Sequence, residues 1–223
     1  MTSIELLNRI RKQLDEVGIE GYWLDSEIYS ALTDAQKEIV NLGIEYYKAK
    51  KELPEIIRGM LSAREDTSVP DAANPLPDTF LYLISAKVAY PTGGVYRPAK
   101  ILTFNEMLEK DLSNPYSSYT TFEPCVYLQQ GFLYNFPIGI SQDQLYYYIP
   151  KPVDIISIVN PVISIQGENA LINYAVYLML KADKGDKTAV SELMNIASSY
   201  LTKYKDDLIS IGLLEVKNDS TRS

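Results

Sequence analysis

The stretch 23–51, WLDSEIYSALTDAQKEIVNLGIEYYKAKK, constrains this chain more than any other, because it holds one apolar stripe over many helical turns. Ile28, Leu32, Ala35, Ile39, Leu42 and Tyr46 follow at alternating spacings of four and three, which keeps them on one face of a helix. That face has to be buried. Asp34, Gln36, Lys37, Glu38, Asn41 and Glu45 lie between, so the other face is expected to be solvated or to meet a polar partner. Asp25 stands where an N-cap carboxylate would accept from the first free backbone N–H groups.

Helical periodicity continues on both sides. Thr2 with Glu5 is a capping-box pair, and Leu7, Ile10, Leu14 and Val17 predict a first helix over 3–17, stopped by Gly18. After Lys51, LPEIIRGML is a short third helix or the kinked end of the second. Residues 64–78, rich in Pro, Asp and Ser, suggest a surface connection. Short apolar and aromatic runs then follow between turns: FLYLISAKVAY, YRPAKILTF, CVYLQQGFLYNF and QLYYYIP. These have the pattern of strands, with a hairpin around Gln130 and Gly131 and a helical turn over 104–111. Pro98, Pro124, Pro137, Pro150 and Pro152 are expected at strand ends or on edge strands, since proline donates no ladder hydrogen bond. From Glu168 the periodicity is helical again, through Leu171, Tyr174, Ala175, Leu178 and Ala182, with a last helix over 187–205.

The predicted fold class is therefore α+β: a helical bundle formed by the N- and C-terminal helices, with an inserted antiparallel β domain. The expected divisions are helices over 1–63, a linker over 64–77, a β-rich domain over 78–166, a helical hairpin over 167–206 and a tail over 207–223. In the tail, Leu208, Ile209, Ile211, Leu213, Leu214 and Val216 form an apolar patch that either folds back or reaches a neighbour. Tyrosine is abundant, 18 residues against one Trp and five Phe, which suits either sheet faces or surfaces that are dry only in an assembly. Tyr46, Tyr47 and Trp23 are candidates for such contacts, Trp23 alternatively as an anchor of the bundle.

Composition removes several classes of chemistry. There is no histidine and only one cysteine, Cys125, so Ser-His-Asp and Cys-His catalysis, intramolecular disulfides and Cys- or His-based metal sites are all excluded. PTGGVYRP, residues 91–98, lacks the Lys-Ser/Thr of a phosphate-binding loop and the three-glycine spacing of a dinucleotide site, and is a plain turn. Asp206-Asp207 and Glu65-Asp66 are adjacent pairs that point different ways. A formal charge of −8 argues against gripping nucleic-acid phosphates, which needs clustered Lys and Arg. No segment has the length or continuous apolar character of a membrane span or a signal peptide, so a cytoplasm-like environment is expected.

Two sets of residues resemble a known family. Trp23, Asp25, Glu27, Ile28, Leu32, Ala35, Gln36, Glu38 and Ile39 fill positions comparable to the first long helix of head–tail connector (adaptor) proteins of tailed bacteriophages. Asn114-Pro115-Tyr116, Glu123-Pro124-Cys125-Val126-Tyr127, Gly131 and Tyr148-Ile149-Pro150-Lys151-Pro152 are similar, in the same order, to a region of connector-like proteins of Bacteroidetes phages, the crAss-like group among them. Pro150 departs from that pattern. The resemblance implies a structural virion protein without catalytic residues, cofactor or metal. It would form a ring at the portal–tail junction, twelvefold to match the portal, after assembly in the host cytoplasm. Its partners would be further copies of itself, the portal protein, tail or other neck ring proteins, and double-stranded DNA that passes without tight binding; no membrane is involved. The alternatives are another tail-completion or baseplate protein and, from a different class, a carboxylate-dependent cell-wall hydrolase of the tail.

Overall fold

The computed structural model describes residues 2–16, 23–69, 73–108, 120–137, 142–182 and 187–214. The chain forms two compact units. One is made of Met1–Met60 with Pro152–Ser223, the other of Leu61–Lys151.

The first unit is helical. Helix α1 (Ser3–Glu16) opens with the expected capping box: the Thr2 N–H donates to Glu5 Oε2 at 2.8 Å and the Glu5 N–H to Thr2 Oγ1 at 3.2 Å. Helix α2 (Asp25–Lys50) is the long helix of the sequence, but its cap is different. Leu24 is the N-cap, and its N–H is satisfied by Glu27 Oε2 at 2.8 Å, while the Asp25 carboxylate pairs with Arg11. Ile28, Leu32, Ala35 and Ile39 are buried as the stripe predicts; Ala31, Thr33, Gln36, Val40, Gly43 and Ile44 are buried as well. A short α3 (Glu55–Arg58) starts after Pro54.

Helix α5 (Glu168–Ala182) explains why no terminal bundle forms. Its buried residues, Ala170, Leu171, Ile172, Ala175, Val176, Met179 and Leu180, span far more than one stripe. It is consequently a hub that packs against α6 (Lys187–Ser210), α2 and α1 in turn, whereas α1 and α2 touch little. Tyr174 of α5 stacks on Tyr204 of α6, with ring centroids 4.4 Å apart. The Tyr204 hydroxyl is pushed well above its ordinary range, first by burial and then by the charge of Glu38.

The second unit is a curled, seven-stranded sheet in the order β1-β7-β3-β4-β5-β6-β2. Its strands are β1 (Ser62–Val69), β2 (Ala73–Pro75), β3 (Phe80–Ala89), β4 (Tyr96–Leu102), β5 (Cys125–Gln129), β6 (Phe132–Phe136) and β7 (Gln142–Pro150). The sheet is not antiparallel throughout, because β4 and β5 run parallel, with Lys100, Ile101 and Leu102 opposite Cys125, Val126 and Tyr127. Parallel neighbours need a long crossover, and α4 (Phe104–Leu108) stands at the start of the connection that leaves β4. The chain is thus a mixed α/β protein, and the expectation of a terminal helical bundle carrying an antiparallel insert is corrected on both counts.

The expected linker is corrected too, since β1 and β2 lie within or across 64–77. Ser62–Val69 has no apolar alternation because it is an edge strand, paired with β7 alone, and edge strands favour charged and polar residues. The β unit ends at Lys151, so residues 152–166 belong to the helical unit rather than to the sheet. Asn74 on one edge strand donates to Asp66 Oδ2 on the other at 2.6 Å and to Gln144 Oε1 at 2.9 Å, which draws the two edges together and curls the sheet. Leu83, Ala86, Val88, Val126, Leu133, Tyr146 and Tyr148 form the core beneath it.

Several local expectations hold. The β5–β6 hairpin turns on Gln130 and Gly131, both at positive φ (49° and 82°), as a two-residue turn of the primed type requires. Residues 91–94 are a plain turn: the Gly94 N–H donates to Pro91 O at 2.8 Å, and a Cβ at Gly94 would lie 2.7 Å from that oxygen. Pro98 departs from the expectation of a strand end or edge strand: it lies inside β4, between β3 and β5 in the sheet, where β4 is paired with β3 but not yet with β5, so its missing N–H costs no ladder bond on the β5 side. At α4, Glu106 accepts from Lys100 Nζ at 2.6 Å and from the Thr103 N–H at 2.9 Å; Lys100 first, then Thr103, holds its carboxyl down at about 2.

Candidate functional site

Between β7 and α5 the chain makes an irregular excursion, 152–165, over the helical unit. An irregular segment leaves backbone groups without ladder partners, and here buried side chains supply them. Gln36, fully buried on α2, donates from Nε2 to Val153 O at 2.9 Å and accepts from the Val162 N–H on Oε1 at 2.7 Å. Both ends of the excursion are therefore held by one amide. Thr33, about one helical turn earlier, accepts from the Ile155 N–H at 2.9 Å. Ser3 on α1 fixes the tip: its hydroxyl donates to Ser157 O at 2.9 Å and its N–H to Asn160 Oδ1 at 2.9 Å. The Ser164 N–H donates to Ile56 O at 3.0 Å and closes the loop against α3.

What this scaffold presents is apolar. Ile158, at the tip, is 85% exposed, and Val153, Ile156 and Ile165 are at least 46% exposed. Ile4, on the turn of α1 that carries Ser3, is exposed as well. Scattered exposed aliphatics are ordinary, whereas here four β-branched side chains are turned outward on one segment whose backbone is held by buried side chains. Beside it runs an open groove of about 600 Å³ between the first half of α2 and residues 154–157. Tyr29, Ser30, Asp34 and Ile156 are among its lining residues, and Lys37 pairs with Asp154 across it at 3.1 Å.

The residues expected to make contacts are dispersed by comparison. Trp23 is half-buried just before α2, and Arg11 donates to its carbonyl oxygen at 3.5 Å. Tyr46 and Tyr47 are half-buried near the far end of the same helix. Helix α6 runs to Ser210, so the tail does not begin at 207. Leu208 and Leu213 are buried within their own unit, which removes them from any free docking tail, whereas Ile211 is half-buried and Ile209 and Leu214 are each 36% exposed. Val216 lies outside the described residues, as does Asn114-Pro115-Tyr116.

Sequence reasoning missed the loop because Val153, Ile156, Ile158 and Ile165 show neither helical nor alternating spacing. The available signal was polar: Thr33 and Gln36 sit beside the apolar stripe of α2, where a buried side chain needs a partner.

Among the described residues no group of three or more acidic or cysteine side chains is placed to hold a metal ion, and no helix is long and apolar enough to cross a membrane. No protein-family model matches the chain, and no curated protein matches it. The conclusion from the site is chemical: it offers pre-shaped apolar surface with a charged rim.

Proposed function

We propose that this chain is a structural subunit of the neck of a tailed-phage virion, a head–tail connector that forms an oligomeric ring at the portal–tail junction, gives DNA a passage and docks tail components. The observation that carries the reading is the pinned loop at Ile158. Burying one such side chain contributes about 1.5–3 kcal/mol, and a ring repeats the contact at every interface. Pre-organisation by Gln36, Thr33 and Ser3 lowers the ordering cost of that contact. The net charge of −8 suits a wall past which DNA slides without adhering. In sequence, the resemblance to connector proteins over the first half of α2 includes Ala35 and Gln36, and Gln36 is the residue that holds the loop.

The test is the mass of the assembled species. In native mass spectrometry the full chain, alone or with the portal protein of its own virion, is expected to give a cyclic oligomer, while Ile158→Asp remains a folded monomer with an unchanged melting temperature. An Ile158→Asp variant that assembles like the parent would contradict the proposal.

A further inference from the structure

The concave face of the curled sheet carries a polar band beside its apolar core. Asp66 starts it: its carboxylate accepts from Arg64 Nε at 2.9 Å and from Asn74 Nδ2 at 2.6 Å. An ionised carboxylate only accepts, so the Asn74 amide turns its nitrogen this way, and that nitrogen also donates to Gln144 Oε1 at 2.9 Å. The orientation of Gln144 is fixed in turn, which leaves its Nε2 as the free end and a donor. Gln142 lies two residues along β7 and so on the same face; Asn135 lies two residues along β6 from Leu133, the residue opposite Asn74. Asn135, Gln142 and Gln144 are each at most 1% exposed, yet Gln144 Nε2, Gln142 Oε1 and both polar atoms of the Asn135 amide have no hydrogen-bond partner among the described residues. At the same end of the sheet Tyr90, which follows β3, donates its hydroxyl to the carbonyl of Pro137, just past β6, at 3.4 Å.

We propose that this end of the curled sheet is a binding site for ordered water, held by Gln142, Gln144 and Asn135. Buried polar groups of folded proteins are almost always hydrogen-bonded, so four unpaired atoms on one face call for a partner of matching chemistry. They comprise two donors, Gln144 Nε2 and Asn135 Nδ2, and two acceptors, Gln142 Oε1 and Asn135 Oδ1. The donors repel a cation and the acceptors repel an anion, whereas water both donates and accepts and so suits all of them. An ion has no charge to answer either, because the Asp66 carboxylate is already paired with Arg64. The water continues the chain Arg64–Asp66–Asn74–Gln144 to Asn135 on β6, and so extends the closure of the sheet that Asn74 begins.

The inference concerns the β unit alone and does not depend on the assembly reading. Two measurements on the full chain test it. In a crystal structure at atomic resolution, the density of a single oxygen is expected about 2.7–3.2 Å from Gln144 Nε2 and from Gln142 Oε1 or the Asn135 amide. In solution, the side-chain amide hydrogens of Gln144 are expected to give cross-peaks to water of opposite sign in laboratory-frame and rotating-frame Overhauser spectra, which separates a held water from proton exchange and from surface solvent. Amides bonded to one another with no such density, an ion or an organic molecule in that position, or the absence of a water cross-peak at Gln144 overturns the inference.

Discussion

Gln36 joins a backbone carbonyl 117 residues away along the chain to a backbone N–H 126 residues away. Replacing it by leucine keeps the volume and the helix propensity but leaves Val153 O and the Val162 N–H without partners. Both bonds are only partly buried, so at about 0.5–1.5 kcal/mol for each net hydrogen bond Gln36→Leu is expected to destabilise the protein by about 1–3 kcal/mol in urea unfolding. A loss below about 1 kcal/mol would show that the loop is held by other means. The same residue marks a limit of sequence reading. Periodicity placed Gln36 off the apolar stripe, on a face described as solvated or meeting a polar partner, and the partner proved to be backbone far away in sequence. Helical spacing reports which residues share a face; whether a polar residue on it meets water or a distant carbonyl depends on the tertiary fold.

The end of α6 shows how an element can explain residues that look functional. The Leu213 N–H donates to Leu208 O at 2.9 Å and the Gly212 N–H to Ile209 O at 3.0 Å, with Gly212 at φ 74°. This is a Schellman stop, in which the residues carrying the longer of the two bonds are commonly apolar and pack together. Leu208 and Leu213 occupy those positions and are buried. Leu208→Ala is therefore expected to cost about 2–5 kcal/mol in the isolated subunit, measured by denaturant titration, through the cavity it leaves. A stability like the parent's, with assembly lost, would instead restore Leu208 to an intermolecular contact. Gly212 was legible as a helix breaker, and an apolar residue on each side of it was the signal for the stop. The strands with apolar runs were legible as well, whereas β1 was not, because its polar residues are stabilised by pairing with β7 rather than by burial of their own side chains.

For the whole molecule, the two units share one logic of tying remote segments by buried amides. Asn74 joins the two edges of the curled sheet, and Gln36 joins the two ends of the loop on the helical unit. The parallel β4–β5 pair and the central position of α5 were beyond sequence reasoning for a physical reason. Direction of a strand depends on how a long connection returns, and a helix that is apolar on most sides does not say which neighbours it meets. The central claim, a ring subunit of the virion neck, concerns place and copy number. The most direct measurement is a cryo-electron microscopy map of the tailed-phage virion proposed to carry this chain. The account predicts a closed ring of this chain at the portal–tail junction, with Ile158 buried against a neighbouring protein; density for the chain elsewhere in the particle, or Ile158 facing solvent within such a ring, would contradict it.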